Sequence, residues 1–180
     1  THCLALLLFT LILSGCAAPA RVDQMAIRPD LPANHQQSPL YGNLVVGQIM
    51  GGKDTNPMWV SQVSNEDFRA SLQRSLSNAG LLASNADSSQ YELTANLDNL
   101  RQPFVGASIT VSAKIHYILT HKRTGEKHFE QTIDLPYTAA FNAALIGTER
   151  LRIANEGAIR TNIAELIRRL HALELTNLTL

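Results

Sequence analysis

A cysteine stands directly after an apolar segment near the start of the chain, in Leu13-Ser14-Gly15-Cys16. The segment from Leu4 to Leu13 is apolar apart from Thr10, and small residues follow it. A short apolar run that ends in small residues is typical of a secretory signal peptide. Because the cysteine directly follows this signal, its thiol could be the point at which another group is covalently attached to the protein.

The motif Leu13–Cys16 resembles the lipobox of bacterial lipoproteins: Leu, then Ala or Ser, then Gly or Ala, then Cys. The resemblance implies that residues 1–15 are removed as a signal peptide and that Cys16 is acylated on its sulfur and on its new amine. Several acyl chains then hold the protein at a membrane, since one chain contributes only ~0.8 kcal/mol per buried CH₂ and binds marginally. The alternative is a buried N-terminal helix with an incidental cysteine. The chain opens at Thr1-His2 without a basic residue, so we expect the signal to begin upstream.

A glycine-rich segment, Gly47 to Asp54, follows a predicted strand and approaches a phosphate-binding loop in its spacing. Asp54 stands where the Mg²⁺-binding hydroxyl belongs, and it would place a negative charge beside the phosphates. Asn56-Pro57 follows instead of the helix whose first turn would hold a phosphate. The segment therefore predicts a plain loop and no nucleotide cofactor.

Histidines are the residues of this chain that could bind a metal ion. His116 and His128 share the solvent-facing side of a predicted hairpin, whose register places His128 opposite Thr120. The two rings are then about 13 Å apart along the sheet, at ~3.4 Å per residue, which is too far for one ion. We therefore expect no metal site and surface histidines. The sequence also has no nucleophile-elbow serine and no free cysteine in its mature part, so we expect no enzyme.

A tryptophan in a loop is the first candidate for partner binding. Asn56, Met58 and Trp59 precede the first long helix, and an aromatic residue beside a methionine is a typical anchor for a partner. Phe104, between the second and third predicted strands, is a candidate at an apolar hairpin tip. The alternative is that Trp59 packs over the edge of the core.

A polar patch on the last helix is the second candidate. Arg152 and Asn155 lie before Ile159 on the same helical face, so the apolar stripe becomes polar at that end. These two residues form a candidate polar network. The alternative is a structural network that ties the helix to the loop at residues 138–147.

Composition narrows the class of protein. Lys and Arg together number 15, as do Asp and Glu, so the net charge is zero and no basic field favours nucleic acid. With Cys3 in the signal and Cys16 lipidated, the folded part has no cysteine for a disulfide or thiolate site. Stability must therefore come from packing.

Residues 43–173 are predicted to form one domain with the element order β-α-β-β-β-α. Ser64 can cap a helix that extends to Ala79, and Gly80 suits the left-handed position after it. Apolar residues alternate with polar ones over Tyr91–Leu97 and Ile109–Leu119, which predicts an antiparallel sheet with one buried face. Because both helices must cover that face, the sequence predicts a two-layer α+β fold.

The remaining boundaries follow from turns and prolines. A three-residue hairpin loop ending at Gly125 pairs Leu119 with Phe129, Ile115 with Ile133, Ala113 with Leu135, and Lys114 with Asp134. A long helix is predicted from Thr148 to Leu173. Residues 16–42, rich in proline, are expected to form the lipidated end and a flexible tether, and residues 174–180 a frayed tail.

The chain as a whole resembles small envelope lipoproteins of proteobacteria. In layout it is similar to the YajG-like type and to the lipoprotein that plugs the lipopolysaccharide-assembly barrel. The resemblance to this family rests on two segments within residues 55–165, NPMWVSQVSNEDFRASLQRSLSNAGLL and ALIGTERLRIANEGAIRTNI. Members of this uncharacterised family include some labelled as acyltransferases.

The expected function is therefore that of a non-enzymatic accessory or binding subunit of an envelope complex. The resemblance implies an anchor at Cys16 in the inner leaflet of the outer membrane, since Ala17 rather than Asp follows the cysteine, with the domain in the periplasm. We expect an envelope protein as partner and no cofactor. A carrier or chaperone of lipid or polysaccharide is one alternative, and an acyltransferase is the other.

Overall fold

The computed structural model describes residues 17–56, 61–103 and 107–173. Within these ranges four strands form one sheet in the order β1-β2-β3-β4, and helices lie against it. The strands are β1 (Leu44–Met50), β2 (Tyr91–Arg101), β3 (Ile109–His121) and β4 (Lys127–Ala139); the α-helices are α1 (Val22–Met25), α2 (Asn65–Asn78) and α3 (Gly147–His171). The predicted signal peptide and the 174–180 tail lie outside the described residues.

Helix α2 begins and ends where the sequence predicts. The Ser64 hydroxyl accepts a hydrogen bond from the Asp67 backbone N–H at 3.0 Å and donates one to the Asp67 carboxylate at 2.7 Å. Gly80 follows the helix with φ of 70°, in the region that only glycine adopts without strain. Local chemistry thus sets both ends of this helix.

The β3–β4 hairpin has the predicted register over most of its length. Leu119 pairs with Phe129, Ile115 with Ile133, Ala113 with Leu135, and Lys114 with Asp134. At the turn, however, Thr120 pairs with Lys127 and not with His128, because the register shifts after Leu119. The shift leaves His128 as one extra residue in β4. An extra residue of this kind is a β-bulge, which bends the strand and changes the direction of the neighbouring side chains.

The α+β fold class is confirmed, but the sheet is mixed. β1 pairs with β2 in parallel, whereas β2–β3 and β3–β4 are antiparallel. The expectation of a wholly antiparallel sheet is wrong for β1 because α2 lies between β1 and β2. Parallel neighbours need a long crossover connection, usually through a helix, and the segment that contains α2 provides one.

Residues 17–42 pack on the domain, so the expectation of a flexible tether is wrong for this segment. Met25 and Leu40 are fully buried in the hydrophobic core. The Ile27 backbone N–H donates to the Ser75 hydroxyl at 3.0 Å, and Asn78 Nδ2 donates to the Ile27 carbonyl at 2.7 Å. Apolar residues spaced without periodicity fill the gap between α2 and α3, where α1 contacts both long helices.

The core lies between one face of the sheet and the two long helices. α2 packs on β1, and α3 packs on β3 and β4. The predicted inward residues of β3, from Ile109 to Leu119, are all buried. Within the described ranges, no helix combines the length and the apolar character that crossing a bilayer requires.

Candidate functional site

An ion pair joins the first described residues to α3. The Arg21 backbone N–H and Nε both donate to Glu156 Oε1, at 3.0 and 3.1 Å. The Glu156 side chain is 3% exposed and that of Arg21 is 47% exposed. The hydrogen bond to Glu156 raises the pKa of the Arg21 guanidinium. The chain is therefore held at this point, five residues after the cysteine that the sequence predicts as a lipid anchor.

Arg152 extends this ion pair to the start of α3. Its guanidinium is bonded to Glu149 in the first turn, and its Nη1 lies 3.8 Å from Glu156 Oε1. Arg21, Glu156, Arg152 and Glu149 thus form a continuous charged chain along one side of the helix. The predicted polar patch at Arg152 is part of this chain.

Asn155 belongs to a different set of contacts. Its side chain is fully buried, its Nδ2 donates to the Ser61 carbonyl at 2.9 Å, and its Oδ1 accepts from Gln102 Nε2 at 2.9 Å. Gln102 Nε2 also donates to the Ser61 carbonyl at 2.9 Å. Asn155 therefore joins α3 to two loops, those that follow residues 57–60 and precede residues 104–106.

Arg150, which sequence reasoning did not select, holds the loop between β4 and α3. Its Nη1 donates to the carbonyls of Ala144 and Leu145, at 2.6 and 3.1 Å. Its guanidinium lies over the Phe141 ring, 5.1 Å from the centroid. The expected tie between α3 and residues 138–147 therefore exists, but Arg150 makes it. An arginine three residues into a helix that follows an apolar loop is the only sequence signal for it.

The loop that Arg150 holds exposes three apolar side chains, named here the apolar ridge: Phe141, Leu145 and Ile146. Their exposed fractions are 60%, 95% and 45%. Single exposed apolar residues are ordinary, but adjacent ones on a fixed loop are characteristic of contact surfaces.

Several predicted site residues lie outside the described residues: Cys16, Met58, Trp59 and Phe104. Asn56 is described and is exposed. Ser61 and Gln102, two residues from Trp59 and Phe104 respectively, meet at Asn155. Each predicted partner-binding segment therefore lies within two residues, along the sequence, of a residue that contacts Asn155 on α3.

The glycine-rich segment is bonded within the protein. A Cβ on Gly51 would lie 2.2 Å from the Leu97 carbonyl oxygen, so glycine permits close approach to β2 there. The Gly52 N–H donates to Asn65 Oδ1 at 2.8 Å, and the Lys53 N–H donates to the Val63 carbonyl at 2.9 Å. The backbone amides of Gly52 and Lys53 thus donate their hydrogen bonds to groups of the protein itself, as the predicted plain loop allows.

The histidines differ in part from expectation. His116 accepts or donates a hydrogen bond with Thr132 at 3.0 Å on the solvent-facing side of the hairpin. His128 is not opposite Thr120 as predicted; the register shift places its ring 5.6 Å from that of Tyr91 and 6.2 Å from that of His121. Among the described residues, no group of three or more His, Cys, Asp and Glu is arranged to hold a metal ion.

A groove of about 560 Å³ lies at the C-terminal end of α3, away from Arg150 and Arg152. The N-terminal segment and the last turns of α3 form its walls, which are largely apolar and include the charged side chains of Arg28, Asp30 and Arg168. Its apolar lining residues are Ile27, Pro29, Pro32, Ala164, Ile167 and Ala172. Burial lowers the pKa of His171, which also lines this groove.

No protein-family model matches this chain, and no curated protein sequence matches it either. Among solved structures it is similar to a Xanthomonas campestris protein of the family DUF330, with 13% identity over 87% of this chain and 96% of that one and a TM-score of 0.54. It is also similar to a hypothetical protein of Chlamydia trachomatis, with 8% identity, 73% and 96% coverage and a TM-score of 0.51. A minor lipoprotein of Acinetobacter baumannii matches with 16% identity, 73% and 92% coverage and a TM-score of 0.48. At these identities the first two similarities concern the fold alone.

Proposed function

We propose that the protein is a lipoprotein of the bacterial envelope, anchored through Cys16, and that it serves as a non-enzymatic binding subunit of an envelope complex. The observation that carries this proposal is the lipobox-like motif Leu13–Cys16, directly before a folded domain. The proposal places the anchor in the inner leaflet of the outer membrane, because Ala17 follows the cysteine. The domain would then lie in the periplasm.

The position of the domain relative to the anchor supports a binding role at a fixed distance from the membrane. Ala17 is 5% exposed, and the Ala20 N–H donates to the Gln62 carbonyl at 3.3 Å. A folded domain therefore begins one residue after the proposed anchor. A partner would therefore meet the domain at a short, fixed distance from the membrane.

The loops that meet at Asn155 are the better candidates for the partner surface than the free edge of β4. That edge strand carries Lys127, Asp134 and Pro136, and charges and proline on an edge disfavour the addition of another strand. The loops contribute Asn56, Met58, Trp59 and Phe104, residue types that provide anchors at interfaces. We therefore assign partner binding to this loop cluster.

The anchor is tested by Cys16→Ser in cells fed a labelled fatty acid. We expect the native protein to incorporate the label and to sediment with outer membranes, and the variant to lose both properties. Cys3→Ser is the matched control, because it changes the other cysteine and should leave labelling intact. Labelled and membrane-bound Cys16→Ser protein would contradict the proposal.

The binding role is tested by photo-crosslinking in living cells, with a crosslinking amino acid at Asn56 or Trp59 and, as control, at Gln36. We expect a defined envelope protein to be captured from the two loop positions. We expect no such capture from Gln36, which is exposed and belongs to the N-terminal segment instead of the loops. Equal capture of abundant proteins from all three positions would contradict a specific partner at the loops.

The groove favours a second candidate function, that of a carrier for an amphiphilic ligand. Its volume of about 560 Å³ is in the range of ligand pockets, and Arg28 at its wall could contact an anionic head group, whereas Arg168 is already paired with Glu165. Ala164→Trp, at an exposed position of the groove wall, should fill the groove and abolish any lipid that copurifies with the native protein, as measured by native mass spectrometry. Native protein that carries no ligand after gentle extraction would contradict this role.

A further inference from the structure

The apolar ridge is fixed in an exposed position. Arg150 binds the carbonyls of Ala144 and Leu145 and covers one side of the Phe141 ring. Arg150 itself is only 8% exposed, so the guanidinium is part of the packed structure. The loop therefore cannot turn Leu145 inward without breaking these contacts, and the exposed leucine is a built feature of the fold.

The N-terminal segment runs along α3 and begins near the same end of the helix as the apolar ridge. Arg21 contacts Glu156, Arg160 Nη1 donates to the Gln24 carbonyl at 2.7 Å, and Ile27 shares the groove with Ala164 and Ile167. The segment and α3 thus advance side by side in the same direction.

From Arg21, ion pairs through Glu156 and Arg152 lead to Glu149 in the first turn of α3. Glu149 in that turn contributes to the electrostatic environment of Arg21. Ile146 is the residue immediately before α3, so the last member of the apolar ridge adjoins that first turn. Cys16, the proposed first residue of the mature chain, directly precedes Ala17 in the sequence.

We propose that the apolar ridge inserts into the lipid surface that holds the acyl chains of Cys16. This inference rests on the proposed lipid anchor and deepens it, because it names the second membrane contact of the same protein. Apolar side chains of interfacial segments reach about 5–10 Å into the boundary between head groups and acyl chains. Because Cys16 directly precedes Ala17, the short link to the acylated sulfur would keep this end of α3, and the ridge beside it, close to the lipid surface.

The second contact would orient the domain. An anchor at one point allows rotation about it, whereas an anchor and a ridge together define which end of α3 faces the bilayer. Ile167 is 21 residues beyond Ile146, which corresponds to about 30 Å along a helix at ~1.5 Å per residue. The groove would therefore open away from the membrane.

The inference is tested with the full-length lipidated protein in vesicles of phosphatidylethanolamine and phosphatidylglycerol whose acyl chains carry bromine. All variants contain Trp59→Phe, so that one tryptophan reports. The probe is Leu145→Trp and the matched control is Leu31→Trp, another exposed leucine, which lies next to the groove and is 39% exposed. We expect several-fold quenching and a blue-shifted emission for the probe, and neither for the control.

The outcomes separate the two proposals. Acylated protein that floats with the vesicles while Leu145→Trp is quenched no more than Leu31→Trp would overturn the ridge inference and leave the anchor intact. Protein whose mass shows no acyl chains on Cys16 would overturn the proposed function and, with it, the ridge inference. Phe141→Trp gives a second probe of the same ridge and should be quenched like Leu145→Trp.

Discussion

Buried polar side chains of α3 decide how the loops are placed. Asn155 satisfies the Ser61 carbonyl and Gln102 in a fully buried position. Farther along the helix, Asn162 donates to the carbonyls of Ala113 and Ile133 and accepts from the Tyr117 hydroxyl. Burial also raises the pKa of Tyr117 well above its ordinary value. Both asparagines therefore fix the position of α3: Asn155 relative to the loops, and Asn162 relative to the sheet.

Replacing Asn155 should weaken the fold at the loops. Asn155→Ala removes two hydrogen bonds, at ~0.5–1.5 kcal/mol each, while Gln102 Nε2 still donates to the Ser61 carbonyl; we therefore expect a loss of ~1–3 kcal/mol in the free energy of unfolding. Urea unfolding followed by circular dichroism measures the change. The control, Asn142→Ala, alters an exposed asparagine and should stay within ~0.5 kcal/mol. Equal stability of both variants would show that Asn155 does not hold the loops.

Glu165 is the residue whose titration should affect stability in acid. Hydrogen bonds from Arg168 and Arg169 lower the pKa of its carboxyl from 4.5 to about 2. A lowered pKa in the folded state means that the stabilisation is present above about 4.5 and is lost as the pH falls toward 2. In Glu165→Gln this contribution is absent, so stability measured from pH 5 to pH 2 should fall less steeply than in the native protein.

The matched control for that pH series is Asp87→Asn, which neutralises an exposed acid in a loop. Its stability should follow the native pH dependence. A Glu165→Gln profile that parallels the native one would show that the two arginines do not stabilise the carboxylate.

At the scale of elements, tertiary contact overrides helix propensity at Gly157. The sequence alone marks this glycine as a weak point in α3, since alanine is the better helix former by ~1 kcal/mol. In the structure a Cβ at this position would lie 2.2 Å from Cδ1 of the Tyr137 ring on β4. The glycine therefore permits the close approach of α3 to the sheet.

Gly157→Ala should accordingly destabilise the protein in spite of its favourable propensity. Crowding in a packed interface costs ~1–3 kcal/mol, and we expect a loss in that range by urea unfolding. In a Tyr137→Leu background the ring is gone, and the same substitution should become neutral or stabilising by up to ~1 kcal/mol. A stabilising effect of Gly157→Ala in the native background would contradict the steric role of the glycine.

At the scale of the whole molecule, the N-terminal segment is part of the domain that carries the proposed anchor. Met25 and Leu40 are fully buried, and Arg21 is bonded to Glu156. With the proposed anchor, the distance between the membrane and the domain would be set by this packing and not by the reach of a coil.

Met25→Ala distinguishes a packed segment from a tether. Removing a buried methionine side chain costs ~2–5 kcal/mol of the free energy of unfolding, because it loses burial and leaves a cavity. Gln36→Ala, at an exposed position of the same segment, is the control and should have little effect. If residues 17–42 were a coil, both substitutions would leave the urea midpoint unchanged, and protease would remove the segment without unfolding the domain.

The sequence by itself determined the features that depend on neighbours in the chain. The cap at Ser64, the left-handed Gly80 and the pairing of Leu119 with Phe129 arise from residues a few positions apart or from strict alternation across one short turn. The lipobox-like motif is likewise a local pattern, and it stays a prediction for the anchor.

Only the tertiary structure decided the features that join distant parts of the chain. The parallel pairing of β1, the packing of Met25 and the joining of Ser61 and Gln102 by Asn155 connect residues far apart in sequence. No periodicity marks such contacts in advance, because an isolated buried methionine or asparagine has the same sequence context in a coil as in a core. Their partners are selected by the shape of the space left between the sheet and its helices, and that space exists only once the chain has folded.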